Sequence, residues 1–294
     1  MHKKLMEVGS ETTPNKWDVE IFAKKGFINF GLKELLRYKD LLFLFIKRDF
    51  ISLYKQTILG PLWVVIQPIL TTLTFTVIFG NIAKIGTNGI PQILFYLSGI
   101  TIWSYFSDCV TKTSETFSQN QNIFNKVYFP RLIVPLSIIF TNLIKFFFQF
   151  LIFIAVYLYY VFFTDFEAGL NSSILLLPVL IFIMMAAGLG IGLIISSLTV
   201  KYRDLKFLIQ FGIQLAMYAT PIVYPLNMVP EKYKWIIMAN PMTSVIETFK
   251  FTFFDQNASF ELSGLIYSFV ISILLLLAGM SVFNRVERSF IDTI

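Results

Sequence analysis

The chain has 294 residues, of which 56% are hydrophobic and 14% charged, with a mean hydropathy of +0.70. Soluble domains carry about 25% charged residues, so a water-soluble globular fold is excluded and the long uncharged runs read as membrane spans. The net charge of +6 is explained by cationic loops beside inserted helices and needs no nucleic acid. The single Cys109 and single His2 exclude an intrachain disulfide, a thiol-rich metal site and a His relay.

Residues 1–32, which include GSETTPN, read as a cytosolic N-terminal lead. In residues 33–57, Leu35, Tyr38, Leu42, Phe45 and Ile46 share one side, while Arg37, Asp40, Lys47 and Arg48 break the run elsewhere. That spacing predicts an amphipathic helix lying in the membrane interface. The first apolar run, residues 41–46, is too short and too close to charge for a signal peptide, so insertion is expected to rest on the chain's own spans.

Six nearly charge-free windows follow: residues 56–83, 85–107 (the helix starting near Pro91), 132–164, 168–200, 207–230 and 262–284. Each supplies the ~20 apolar residues that cross a bilayer. The expected fold is all-α and integral to the membrane, with six transmembrane helices in a domain of residues 58–290. An even count puts both termini on one side. With the termini inside, 19 Lys and Arg fall inside and four (Lys84, Lys232, Lys234, Lys250) outside, so both termini are expected in the cytoplasm.

Between the fifth and sixth windows, WIIMA and NPMTSVIETFKFTFF are too short to span. Asn240 then Pro241 is a helix start, with a capping side chain and Pro at the first helical position. Met242, Val245, Ile246, Phe249 and Phe253 form one apolar stripe, with Glu247 and Lys250 off it. Two short re-entrant helices at the outer surface are expected, packed in protein or lining a cavity.

The sequence has no GxxxxGK[ST] loop, no GxSxG elbow and no HExxH pair, so a P-loop ATPase in this chain is excluded. Gly188, Gly192 and Ser196 recur every four residues and predict close helix packing rather than a dinucleotide site. Lys145 is the one charge deep in a window. An intramembrane charge is a functional-site candidate by default, unless it turns to an internal acceptor or stretches to the interface. Asp108 and Glu115, near the inner end of the second window, are expected to reach headgroups or a partner. On the inner side, residues 113–135 place Phe117, Ile123, Phe124 and Val127 along one edge of a short helix stopped by Pro130. KYRDLKF (201–207) is a second compact inner element. Both suit mechanical coupling to a cytoplasmic partner, and both equally suit a solvated turn.

The runs YKQTILGPLWVVIQP (54–68), NKVYFPRLIVP (125–135), KYRDLKFLIQ (201–210), ATPIVYP (219–225) and NPMTSVIETFKF (240–251) resemble the membrane subunits of ABC-2 type polysaccharide exporters. The resemblance covers roughly residues 33–290. It implies a homodimer in the bacterial inner membrane with two copies of a separate ATPase. ATP and Mg would be bound in that partner, and no cofactor in this chain. The implied cargo is a lipid-linked polysaccharide: O-antigen, capsule or teichoic acid. It also implies two coupling helices. Gln119, Asn122, Phe124, Asn125, Lys126 and Tyr128 belong to one; Lys201, Tyr202, Arg203, Asp204 and Lys206 belong to the other. The implied substrate path runs between protomers along spans one and five, with Trp63, Gln67, Tyr218 and Tyr224 as candidates. Their aromatic rings suit sugars, and an interface belt explains them as well. Rival readings are an ABC-2 subunit for drugs or small lipids, an ion-coupled secondary transporter and a membrane glycosyltransferase. The second should show midplane acids and repeated halves, and the third a carboxylate cluster; the sequence shows neither.

Overall fold

The computed structural model describes residues 32–292 apart from 56–57, 125, 165, 167–168, 170, 203 and 256–259. The lead 1–31, Asn125 and Arg203 thus lie outside the described residues. The expected single interface helix is two, α1 (Leu32–Arg37) and α2 (Lys39–Tyr54), with a turn at Tyr38 between them. Phe45 is buried against the bundle while Phe43 and Leu44 are exposed. Asp49 of α2 accepts from the Ser137 hydroxyl at 3.0 Å, which fixes α2 to the bundle.

A short 3-10 turn, Gly60–Leu62, leads into α3 (Trp63–Phe75), which a π-turn at Thr76–Ile82 prolongs. The TTLTFT run is compatible with lipid because its hydroxyls donate back one turn: Thr71 to Gln67 O (2.9 Å), Thr72 to Pro68 O (2.7 Å) and Thr74 to Leu70 O (2.8 Å). Helices α4 (Gln92–Ser114), α5 (Thr116–Phe124) and α6 (Ile133–Phe163) follow. Then come α7 (Leu177–Thr199), α8 (Leu205–Tyr218), α9 (Glu231–Met238), α10 (Pro241–Phe254) and α11 (Leu262–Asp292). Gly188 and Gly192 let α7 lie directly on α4: a Cβ on Gly192 would stand 2.5 Å from the Cβ of Thr113. The aromatic run of α6 interleaves with α10, with Phe153 at 5.2 Å from Phe249 and 4.9 Å from Phe253 between ring centroids.

Among the described residues, five helical segments are long and apolar enough to cross a membrane: Gly60–Ile82, Gln92–Ser114, Ile133–Phe163, Ser172–Thr199 and Leu262–Glu287. The window at 207–230 differs from expectation. Its helix, α8, has 14 residues, about 21 Å at 1.5 Å per residue. The rest is turn and a 3-10 helix at Leu226–Met228. Absence of charge marked that window, but Pro221, Pro225 and Pro230 supply no backbone N–H and stop a continuous helix.

The bundle has two distinct ends. At one, α2, α5 and the turn between α7 and α8 gather: Phe45 and Phe124 pack on Phe129 at 5.6 and 5.9 Å, and Phe117 stacks on Phe283 of α11 at 4.7 Å. At the other lie α9 and α10, the latter held to the α6–α7 connection by Asn171 N–H donating to Thr252 O at 3.3 Å.

Candidate functional site

At the α5 end, the two inner elements that the sequence suggested are tied together. The Glu115 carboxylate, in the corner between α4 and α5, pairs with the Lys206 ammonium of α8 and accepts from the Gln119 amide. Thr199, the last residue of α7, donates its hydroxyl to Ser114 O at 3.2 Å. Glu115 thus reaches α8. Of the expected coupling residues, Gln119, Asn122, Lys126 and Tyr128 are exposed, as are Lys201, Tyr202 and Asp204, while Lys206 is half-buried. Phe124 is not surface. It is buried among Phe117, Phe129 and the Arg131 guanidinium, whose carbon lies 5.4 Å from its ring centroid. Phe124 anchors α5, and Arg131 in turn donates to Glu287 O of α11 at 3.1 Å.

Lys145 turns inward to an acceptor. Its Nζ lies 3.3 Å from Asp108 Oδ2, which also receives Lys112 at 3.3 Å. Lys112 donates to Asn142 Oδ1 at 3.1 Å as well. Asp108 is therefore engaged within the chain. The side chains differ in exposure: Lys145 14%, Lys112 35%, Asp108 45%.

A third charged group sits at the opposite end and corrects the expected stripe on α10. Glu247 (7% exposed) and Lys250 (1%) are not off a buried stripe, because α10 is enclosed on nearly all sides. Lys250, counted with the outer cations, is buried within α10 rather than set in an open loop. Its Nζ donates to Pro221 O at 2.6 Å, lies 3.6 Å from Glu247 Oε1 and stands 3.6 Å from the centroid of the Phe95 ring. The pair is neutral as a unit, which makes its burial tolerable. Asn240 caps α10, its Oδ1 accepting from Met242 N–H at 3.0 Å while its Nδ2 donates to Thr220 at 2.9 Å; Pro241 takes the first helical position. A cavity of about 300 Å³ beside this helix is lined by Asn227, Lys234, Ser244, Glu247, Thr248 and Glu261, among others.

Of the substrate-path candidates, Trp63 and Gln67 lie one turn apart on the exposed face of α3, and Tyr218 is exposed at the end of α8. Tyr224 is half-buried against the core. Helix α8 has no buried residue and exposes Phe207, Leu208, Phe211 and Leu215. Among the described residues, no group of three His, Cys, Asp or Glu side chains gathers as a metal would require.

The chain matches the ABC-2 type transporter family over residues 40–254. It is 30% identical over 254 residues to an O-antigen export system permease protein RfbA of Klebsiella pneumoniae, covering 86% of this chain and 94% of that protein. It is 25% identical over 265 residues to an RfbA of the same description from Myxococcus xanthus (90% and 98% covered). A polysialic acid transport protein KpsM of Escherichia coli is 22% identical over 237 residues (80% and 89% covered). With its crossing helices and a match over most of its length, the chain belongs to the ABC-2 type transporter family, as a multi-pass membrane domain.

Proposed function

We propose that this chain is the membrane subunit of an ATP-driven exporter that carries a lipid-linked polysaccharide across the bacterial inner membrane. It would work as a homodimer with two ATPase subunits that bind ATP and Mg. The observation that carries the reading is the near full-length likeness to permeases whose names specify O-antigen export. The likeness to a polysialic acid transport protein supports a glycan cargo more broadly. In this reading, α8 together with residues 219–230 is the fifth of six crossings, both termini are cytoplasmic, and α9 and α10 form the outer re-entrant pair. The ATPase docks on the exposed side chains of α5 and on Lys201, Tyr202 and Asp204. Because Glu115 grips Lys206, a push on either element reaches α4 and α8 together. The exposed apolar face of α8 and the Trp63–Gln67 face of α3 are what a second protomer would meet, with the glycan passing between the copies.

The test is co-purification followed by depletion. An ATPase should come down with the tagged chain. Depleting the chain should remove glycan from the cell surface while glycan accumulates inside. Unchanged surface glycan after depletion overturns the reading.

A further inference from the structure

Helix α4 is mostly interior, yet one stripe of it is open, and that stripe is entirely polar. Of residues 101–115, the six that are not buried are Ser104, Ser107, Asp108, Thr111, Lys112 and Glu115. Their spacing of three and four puts them on one face. At 1.5 Å per residue the stripe runs about 16 Å, roughly half of a ~30 Å hydrocarbon core. It begins at the α5 end. Lys145 of α6 leans over one flank, held at 3.3 Å from Asp108, and Lys206 of α8 meets Glu115 at its start.

Among the described residues the charges in the middle of the stripe do not balance: two ammonium groups share the carboxylate of Asp108. Asn142, itself buried, fixes Lys112 at 3.1 Å. Such an open cationic furrow cannot face hydrocarbon, where unpaired charge is strongly disfavoured. The surface next to it is nonetheless apolar, because Ile144 and Phe148, one position before and three after Lys145, are exposed. A polar furrow with one excess positive charge beside an apolar flank matches an amphiphile with an anionic head.

We propose that this furrow binds the phosphate of a lipid. Lys112 and Lys145 supply the cations, Asp108 spaces them, and the tail rests on Ile144 and Phe148. Lysine is a common phosphate ligand, acting as a point charge. The phosphate belongs either to the carrier of the cargo or to bulk phospholipid. Only the first source rests on the exporter reading.

The test is calorimetric titration of the full chain, in a neutral maltoside detergent, with dodecyl phosphate, dodecanol and inorganic phosphate. Dodecyl phosphate should bind saturably and far more tightly than either fragment. The double variant Lys112→Gln, Lys145→Gln should lose about tenfold or more in affinity, the scale of a charged hydrogen bond. Asp108→Asn should tighten binding, because it frees both ammonium groups without removing either. Equal binding by wild type and the double variant, or unchanged or weaker binding by Asp108→Asn, overturns the proposal. Since Asp108→Asn keeps both cations, it decides the matter even if the double variant does not fold. Competition then assigns the source. Displacement by phosphatidylglycerol identifies a bulk-lipid site, and resistance to it a carrier site. None of these readings depends on transport, so failure here leaves the exporter reading standing, and failure of export leaves the binding result intact.

Discussion

Lys250 and Lys145 each bring a positive charge among apolar helices, and their surroundings treat that charge differently. Lys250 is fully buried, with the Pro221 carbonyl, the Phe95 ring and the Glu247 carboxylate around its ammonium. Lys145 shares its carboxylate with Lys112, and the group is half open. A buried lysine matched by its neighbours holds α10 against the Pro221 turn. An open, unbalanced cluster leaves attraction unspent. The same residue type is thus structural at one end of the bundle and available at the other.

The largest effect should come from breaking the buried pair. Lys250→Met leaves Glu247 without its cation in the core, a change that costs about 3–5 kcal/mol when a buried pair loses one partner. The expected outcome is a sharply lowered melting temperature or loss of folded protein, followed by fluorescence-detected size exclusion after heating. Replacing both residues, Glu247→Gln with Lys250→Met, should recover much of that loss. A Lys250→Met protein that melts like wild type would show that the pair is not enclosed. Lys145→Met should destabilise far less, because Asp108 keeps Lys112.

A second contrast concerns glycine. Gly192→Ala forces a methyl group to 2.5 Å from Thr113, and such overpacking costs about 1–3 kcal/mol. At Gly212 of α8 an added Cβ meets nothing within 4 Å. Gly212→Ala should instead raise the stability of the isolated protomer by up to about 1 kcal/mol through helix propensity. Thermal melts of the two variants should move in opposite directions. If Gly212→Ala lowers stability, α8 already touches another chain at that point.

These contrasts also explain what the sequence made legible. Helix positions along α3, α4, α6, α7 and α11 followed from charge-free length, and the α4–α7 contact from the four-residue repeat of Gly188 and Gly192. Pairing across the chain was not legible. Asp108 and Lys112 are four apart and point to each other locally, but nothing in the order of residues says that Lys145, 37 positions on, joins them. Glu247 and Lys250 are three apart, and the sequence placed both off the apolar stripe of α10 without showing that they meet each other. Tertiary enclosure by neighbouring helices decided otherwise. Helix α8 ended early because prolines interrupt a window defined only by the absence of charge.

Glu115 and Lys206 stand between the two lysine extremes, and they should give the smallest effect on stability. Both residues are half-buried, so the pair is partly screened, and exposed pairs are worth about 0–1 kcal/mol. Yet this contact is where the α4–α5 corner grips α8. Glu115→Gln should therefore leave the melting temperature nearly unchanged, and on the exporter function proposed above it should uncouple ATP hydrolysis from glycan export. The charge swap Glu115→Lys with Lys206→Glu should restore export more fully than either single change, because it restores attraction at the same place. The decisive measurement is the ratio of glycan exported to ATP hydrolysed. Should that ratio hold in Glu115→Gln, the ion pair is packing at a corner, and the Thr199–Ser114 contact between the ends of α7 and α4 becomes the next link to break.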